Sequence, residues 1–361
     1  MNDMNLQEIF EFTLKNAPAN ILYRMKRDIL GEPADSDEMT ALREKILALP
    51  QVKKALGCQR EDGFIGTVLH GCYFGGFDST VDLLKRNGVE TSHPALVKAR
   101  DCLIHWTDYE SDHFYKAGNA MDEHGRGGFR SVVTRVLLDL DADESVPLIQ
   151  DQISLALDAF RGALAHRSVD DFSKKATFRG QPCRYYIKGA PFPDASHVDI
   201  LQRTLSWRTE DNTAMVEKAY RHCADLMKDY DGGQIYVNCG HFVGPFNYNW
   251  RAAQPIDSSA VYHISLRDFD SHPIDFAWFM KGLSWVGRKY PIVREAPVNG
   301  YTDALASLLT DDFVNQVSPE QLRNCKNYAS VAPSWRKKEH MAADLYFPVL
   351  LELSRHGVTF E

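Results

Sequence analysis

The sequence predicts an all-α protein of about six helical hairpins stacked side by side. Two observations carry that reading. Apolar residues recur at helical spacing in paired runs, each pair split by a short polar or glycine-containing break. The pairs run throughout the chain, with no low-complexity or Ser/Gly-rich linker between them. One hairpin cannot bury its own apolar face, so neighbours must stack, as an open solenoid or a closed ring. With 361 residues, 44% of them apolar, the chain can bury a large core as a single domain over 1–361.

Taken in order, Ala19 to Leu30 reads as a helix that stops at Gly31-Glu32-Pro33 and resumes from Ser36 to Leu47. The clearest unit follows. A turn with Gln59, Asp62 and Gly63 leads through a glycine-rich loop into a helix from Ser79 to Arg86. Asn87-Gly88 stops that helix, and Pro94 suits the first turn of the next, which runs to Ile104. Phe129 to Leu140 breaks at Asp141-Ala142-Asp143 and continues from Val146-Pro147 through Phe160. His197 to Trp207 pairs with Thr213 to Met227, and Phe276 to Trp285 pairs with a less regular Thr302 to Leu309. His340 to His356 matches the first half of a unit. Two stretches depart from the pattern. One is Asp170 to Ser196. The other is the aromatic-rich insertion Asp231 to Pro273, where short strands are expected at Ile235 to Val237 and Val261 to Leu266. An insertion of that length is expected to cover one face of the repeat stack.

The residues Gln59, Asp62, Gly63, Leu83, Leu84, Gly88, Pro94, Val97 and Ala99 resemble the repeat of the squalene-cyclase and protein-prenyltransferase α/α-toroid family. A leading segment with Asn20, Ile21, Tyr23 and Arg24 is similar to that of uncharacterised bacterial proteins of the same repeat class. The resemblance implies an α/α toroid around a central cavity and a terpenoid-cyclase-like or prenyltransferase-like activity.

Bulk properties narrow the partners. The net charge is −8, which argues against a broad nucleic-acid groove, and Arg336-Lys337-Lys338 is the single dense basic cluster. No run of about 18 apolar residues exists, so no spanning helix is expected, and Met1 to Leu14 lacks a signal-peptide pattern. Seven scattered cysteines without a Cys-x-x-Cys suit a reducing cytoplasm.

In a helical ring the first turns of the inner helices converge on one mouth of the cavity. The polar residues there are Tyr23, Arg24, Asp78, Thr80, Arg130, His197, Asp199, Asp275, His340 and Asp344. Asp78, His197 and Asp275 are the candidate acid–base groups, since acids and a histidine in one desolvated cavity have their pKa values moved apart. The others are candidate substrate-binding residues, with Trp250 and Trp278 facing the pocket. Asp78 and Asp275 also fit helix caps. Trp207 and Trp285 read as packing residues at helix ends.

Three tempting motifs are set aside. Asp139-Leu140-Asp141-Ala142-Asp143-Glu144 is similar to the acid motif of alkene-protonating cyclases, but it falls at a helix break and reads as a solvated rim. His70-Gly71-Cys72 and Cys239-Gly240-His241 offer zinc-binding atoms with no defined third ligand, so no metal is expected. The glycine pairs lack the Lys-Ser/Thr ending of a phosphate loop.

The expectation is an enzyme acting on a hydrophobic small molecule by acid–base or carbocation cyclisation or isomerisation, without a cofactor. Aromatic faces would stabilise cationic intermediates. The alternatives are a non-catalytic ligand- or peptide-binding toroid, and a glycan-acting α/α-barrel enzyme using Asp78 with Asp275 or Asp344.

Overall fold

Each predicted helical run forms a helix, and further short helices fill the gaps between them. The computed structural model describes residues 5–71, 74–227, 230, 235–240, 243–246, 266–270, 273–284, 301–310 and 312–360. The helices are α1 (Leu6–Asn16), α2 (Ala19–Arg24), α3 (Asp37–Leu47), α4 (Pro50–Leu56), α5 (Phe77–Arg86), α6 (Pro94–Ile104), α7 (Tyr115–Asp122) and α8 (Phe129–Asp139). They continue with α9 (Pro147–Ala163), α10 (Ala195–Arg203), α11 (Glu210–Met227), α12 (Pro273–Leu283), α13 (Tyr301–Leu308), α14 (Phe313–Gln316), α15 (Pro319–Tyr328) and α16 (Lys338–Arg355). Four strands interrupt them: β1 (Ser173–Phe178), β2 (Gln181–Tyr186), β3 (Ile235–Asn238) and β4 (Val243–Phe246). The protein is therefore mostly helical with one small sheet, and the all-α expectation is corrected to that extent.

The hairpin starts and stops have local causes. Asn87 and Gly88 end α5, and Gly88 takes the left-handed conformation at φ 87°. Pro94 and Pro147 occupy the first turns of α6 and α9. The turn with Gln59, Asp62 and Gly63 is docked on α6. The Gln59 side-chain amide donates to the Gly63 and Ala95 carbonyls at 2.9 and 2.7 Å, and the Asp62 carboxylate accepts from the Phe64 amide at 2.9 Å. Gly63 sits at φ 96°, with the Lys98 carbonyl 2.6 Å from where a Cβ would lie, so no other residue fits.

The sheet runs β1-β2-β3-β4; β1 and β2 are antiparallel, β2 and β3 parallel, β3 and β4 antiparallel. β1 and β2 fall in the stretch Asp170 to Ser196, where the sequence reading expects no strand. Arg179 at φ 52° and Gly180 at φ 77° make their two-residue turn, a backbone shape that matches the twist of the strands on either side. The strand expected at Ile235 to Val237 is β3. Of the one expected at Val261 to Leu266 only Leu266 is described, and it opens a 3-10 turn (Leu266–Phe269). Most of the Asp231 to Pro273 insertion lies outside the described residues.

Two apolar clusters hold these elements. The larger joins α3 to α11 with the inner face of the sheet, through residues such as Leu84, Val133, Phe160 and Ile235. The smaller brings the ends of the chain together: α1 packs on α16, and the Phe10 ring stacks on Phe360 at 4.5 Å. Side by side, α5 packs on α8 and α8 on α10, with α9 behind α8 and α10.

Between the clusters lies Arg24, which is wholly buried. Its guanidinium donates to the Ser284 carbonyl at 3.2 Å, to the Arg86 carbonyl at 3.4 Å and to Asp28 at 3.0 Å, and rests over the Phe347 ring at 4.8 Å. It thus ties the ends of α5 and α12 to α16. Arg24→Ala should cost roughly 3–5 kcal/mol in chemical denaturation, because it leaves two buried carbonyls unpaired and takes from Asp28 one of its two guanidinium partners, Arg27 remaining at 2.6 Å. Arg24→Lys should recover only part of that loss, because an ammonium lacks the planar fork. A cost under about 1 kcal/mol for the alanine variant would contradict this role.

Candidate active site

Three neighbouring helices each place ionisable residues four apart on one face, the spacing that stacks side chains along a helix. They are Asp78, Asp82 and Arg86 on α5, Arg135 and Asp139 on α8, and Asp199 and Arg203 on α10. These groups pair between helices. Arg135 bonds Asp78 at 2.9 Å, Lys281 of α12 reaches Asp82 at 3.3 Å, and Arg203 bonds both Asp139 and, at 3.0 Å, Asp199. Arg86 pairs with Asp82 at 3.1 Å within α5. Burial raises the Asp139 carboxyl above the usual range despite the Arg203 charge. For Asp82, burial is outweighed by Arg86 and Lys281, and its carboxyl lies below that range.

One end of this ladder meets a histidine. The described residues between Gly66 and Gly76 are held by backbone hydrogen bonds. Gly75 accepts from the Thr67 and Val68 amides at 2.8 and 3.2 Å, and Asp112 accepts from the Leu69 amide at 2.7 Å. The loop presents His70 with Nδ1 2.6 Å from the Asp78 carboxylate and its ring 4.8 Å from the Phe114 centroid. The His70 side chain is 50% exposed and that of Asp78 only 5%. An ionised carboxylate at that distance accepts the Nδ1 proton, so the neutral ring carries its lone pair on Nε2. Burial works against ionised Asp78, but the His70 hydrogen bond and the Arg135 charge hold its carboxyl below the usual range. The ring of Phe114 belongs to a half-exposed aromatic surface in which Trp106, Tyr109 and Tyr115 pack around Phe129.

The predicted site residues do not all converge here. Asp78 does, and Asp199 stands in the same ladder through Arg203. Thr80 is buried and donates to the Gly76 carbonyl at 2.6 Å, within the first turn of its own helix. Tyr23 bonds Glu90, which also takes Arg27 at 2.6 Å, and with Arg24 it belongs to the interior hub. Arg130 points away. It pairs with Asp151 of α9 at 2.8 Å on the surface, because five residues separate it from Arg135 and turn it to another side of α8. His197 is buried in a capping box, with Nδ1 3.0 Å from the Asp194 amide and 2.9 Å from its carboxylate. Asp194 also faces Arg126, and despite burial its contacts with His197 and Arg126 pull its carboxyl strongly down. Asp344 accepts from Ser330 at 2.6 Å, the Val331 amide at 2.9 Å and the Trp335 indole at 2.7 Å, so it anchors a loop. Asp275 is exposed and His340 half-buried, and neither has a partner among the described residues. Trp278 is 48% exposed, stacked on Tyr328 at 5.6 Å with the Lys281 ammonium 5.5 Å from its ring centre. Trp250 and Trp285 lie outside the described residues.

The acidic run 139–144 is not uniformly solvated. Its first carboxylate, on Asp139, is largely buried against Arg203. Asp143 accepts from the Ser145 amide at 2.7 Å, and Glu144 from the Leu205 and Ser206 amides at 2.9 and 2.8 Å, as expected of a rim. Cys239 lies 3.6 Å from His124 Nδ1, and burial pushes its thiol up. Among the described residues no three His, Cys, Asp or Glu side chains are grouped to hold a metal, and no described helix is long and apolar enough to cross a membrane. Cys72 and His241 lie outside the described residues. No family model, curated protein or solved structure matches the chain.

Two residues of this candidate site, His70 and Arg135, were not among the predicted site residues. His70 was visible only as a possible metal ligand, and Arg135 as one charge in an apolar run. The available signal was the i, i+4 series from Asp78 and the matching series on the next two helices.

Asp78→Asn should cost about 1.5–3 kcal/mol at pH 7, the range for hydrogen bonds to a charged group. The folded carboxyl lies below its unfolded value, so the stabilisation is complete above the unfolded pKa of about 4 and disappears as pH falls through the folded value. Urea titrations of both proteins at pH 7 and pH 3 should therefore diverge at pH 7 and approach each other at pH 3. An equal gap at both would mean that ionised Asp78 contributes nothing. Arg130→Ala should change stability by under about 0.5 kcal/mol in the same assay.

Proposed function

We propose that the hairpins close into an α/α ring and that the protein is an enzyme whose proton-transfer group is His70. Ring closure is supported by the packing of α1 on α16 and by the run α5, α8, α10 side by side. The observation that carries the enzymatic reading is the pair His70 and Asp78, with an exposed imidazole held at Nδ1 by a buried carboxylate. Nε2 would take and return a proton. Asp78 would fix the tautomer and stabilise the imidazolium, and Arg135 would keep Asp78 ionised. The aromatic surface beginning at Phe114 suits a hydrophobic substrate, as for a terpenoid-cyclase-like isomerisation or cyclisation. Initiation by a protonated aspartic acid fits less well, since Asp78 favours its ionised form and Asp139 is bonded to Arg203. A second reading, a non-catalytic ligand-binding ring, is favoured by the ladder itself, whose four acids and four cations pair with one another.

A thermal-shift screen of isoprenoid alcohols, prenyl diphosphates and other apolar ligands, followed by product analysis, tests both readings. For a compound that is turned over, His70→Ala should cut turnover about 10²–10⁴-fold while ligand-induced stabilisation persists. Unchanged turnover in His70→Ala would end the proposal. Stabilisation without turnover by the wild type would favour the binding ring.

A further inference from the structure

The β1–β2 hairpin and the residues just after it are locally basic. Residues 173–188 contain Lys174, Lys175, Arg179, Arg184 and Lys188 and no acidic residue, in a chain whose net charge is −8. Arg184 turns inward and is held by Ser173 at 2.7 Å and by Asp170. Lys174, Lys175, Arg179 and Lys188 are exposed, and none is in an ion pair with a described residue.

Alternation along the strands sorts the side chains. Arg184, Tyr186, Ile235 and Val237 face the core and are buried. The register then sets Lys174 beside Tyr185 and Tyr185 beside Tyr236 on the opposite face, with Phe178 at the end of β1 on that same face. Phe178, Tyr185 and Tyr236 are each half-buried, and the Phe178 and Tyr236 rings lie 5.0 Å apart. The Tyr185 hydroxyl donates to the Thr177 carbonyl of the neighbouring strand at 3.2 Å, which lays its ring along the sheet. The Arg179 guanidinium sits 5.2 Å from the Phe178 ring centre at the hairpin tip. β1 is an edge strand, and lysines alone on an edge serve to deter pairing with another strand. Three aromatic rings on the face beside those lysines go beyond that role.

We propose that this face binds single-stranded nucleic acid, with bases stacking on Phe178, Tyr185 and Tyr236 and phosphates meeting Lys174 and Arg179. Aromatic rings on a sheet flanked by cations provide stacking that tolerates any base, together with backbone neutralisation. An anionic lipid surface would use the same cations but would not need rings ordered across adjacent strands. The site is independent of His70 and of the ladder.

The test is fluorescence anisotropy of the full chain with labelled oligo-dT and oligo-U of about 12 nucleotides at about 50 mM salt, a length that spans one such surface. Binding should weaken with salt with a log–log slope of roughly −1.4, set by two phosphate contacts on a single strand. Tyr185→Ala should weaken it about 5- to 150-fold, the range for losing one stacked base. Lys174→Glu with Arg179→Glu should abolish it, with circular dichroism and melting temperature unchanged. His70→Ala should bind like the wild type. No oligonucleotide binding would overturn the proposal. So would equal affinity for duplex DNA with Tyr185→Ala unaffected, or binding to phosphatidylserine vesicles but not to oligonucleotides.

Discussion

A buried arginine on helix C-termini is the constraint on which the rest of this structure depends. The last carbonyls of a helix have no intrahelical donor, and they form the negative end of its dipole. Here α5, α12 and α15 end in the interior, and cations from other segments meet them. Arg24 bonds the carbonyls of Arg86 and Ser284, Arg355 bonds that of Leu283 at 2.9 Å, and Arg86 bonds that of Ala329 at 2.9 Å. The Asn20 amide adds Val331 at 2.7 Å. A guanidinium with no exposure is tolerable only with its donors engaged, so Arg24 fixes where α2, α5, α12 and α16 stand relative to one another. Burial keeps the Arg24 pKa low, at about 10, and Asp28 acts in the opposite direction.

This constraint reaches the candidate site through α5. Arg86 bonds Asp82 as well as Ala329, and Asp82 takes Lys281 from α12. Asp78 stands one turn further along the same helix, where His70 and Arg135 meet it. The carboxylate that orients the imidazole is thus mounted on a helix secured at its far end and braced along its length. Preorganisation of that kind is what a proton-transfer group requires, because a small misplacement of the ring would separate its nitrogen from the reacting atom.

How much of this was legible in the sequence follows from the range of each signal. The helix breaks are local, so Asn87-Gly88, Pro94 and Pro147 marked real boundaries. The turn Arg179-Gly180 is local too, and it is the one short-range mark of the β1–β2 hairpin among these residues. The parallel pairing of β2 with β3 closes across some fifty residues of chain and left no local mark. The candidate site was half legible for a geometric reason. Choosing residues by nearness to a helix start ignores rotation about the axis. That choice admitted Arg130 and His197, which face other ways, and passed over Arg135, Asp82 and Arg203, which share the direction of Asp78. His70 lies on a loop, where no periodicity assigns a direction.

Whole-chain charge misleads for a related reason: it averages over surfaces that never act together. The interior ladder is close to neutral, and the β1–β2 hairpin is strongly basic, so the remaining surface must be more acidic than the chain average. Electrostatic recognition responds to the local potential within about one Debye length, roughly 8–10 Å at moderate salt, and not to the total. A net charge of −8 therefore argues against a wide groove tracking a duplex, as the sequence reading held, but it places no constraint on a face the width of three strands. Lys174 and Arg179 lie within such a face, and its aromatic rings supply the contact that a charge count cannot register.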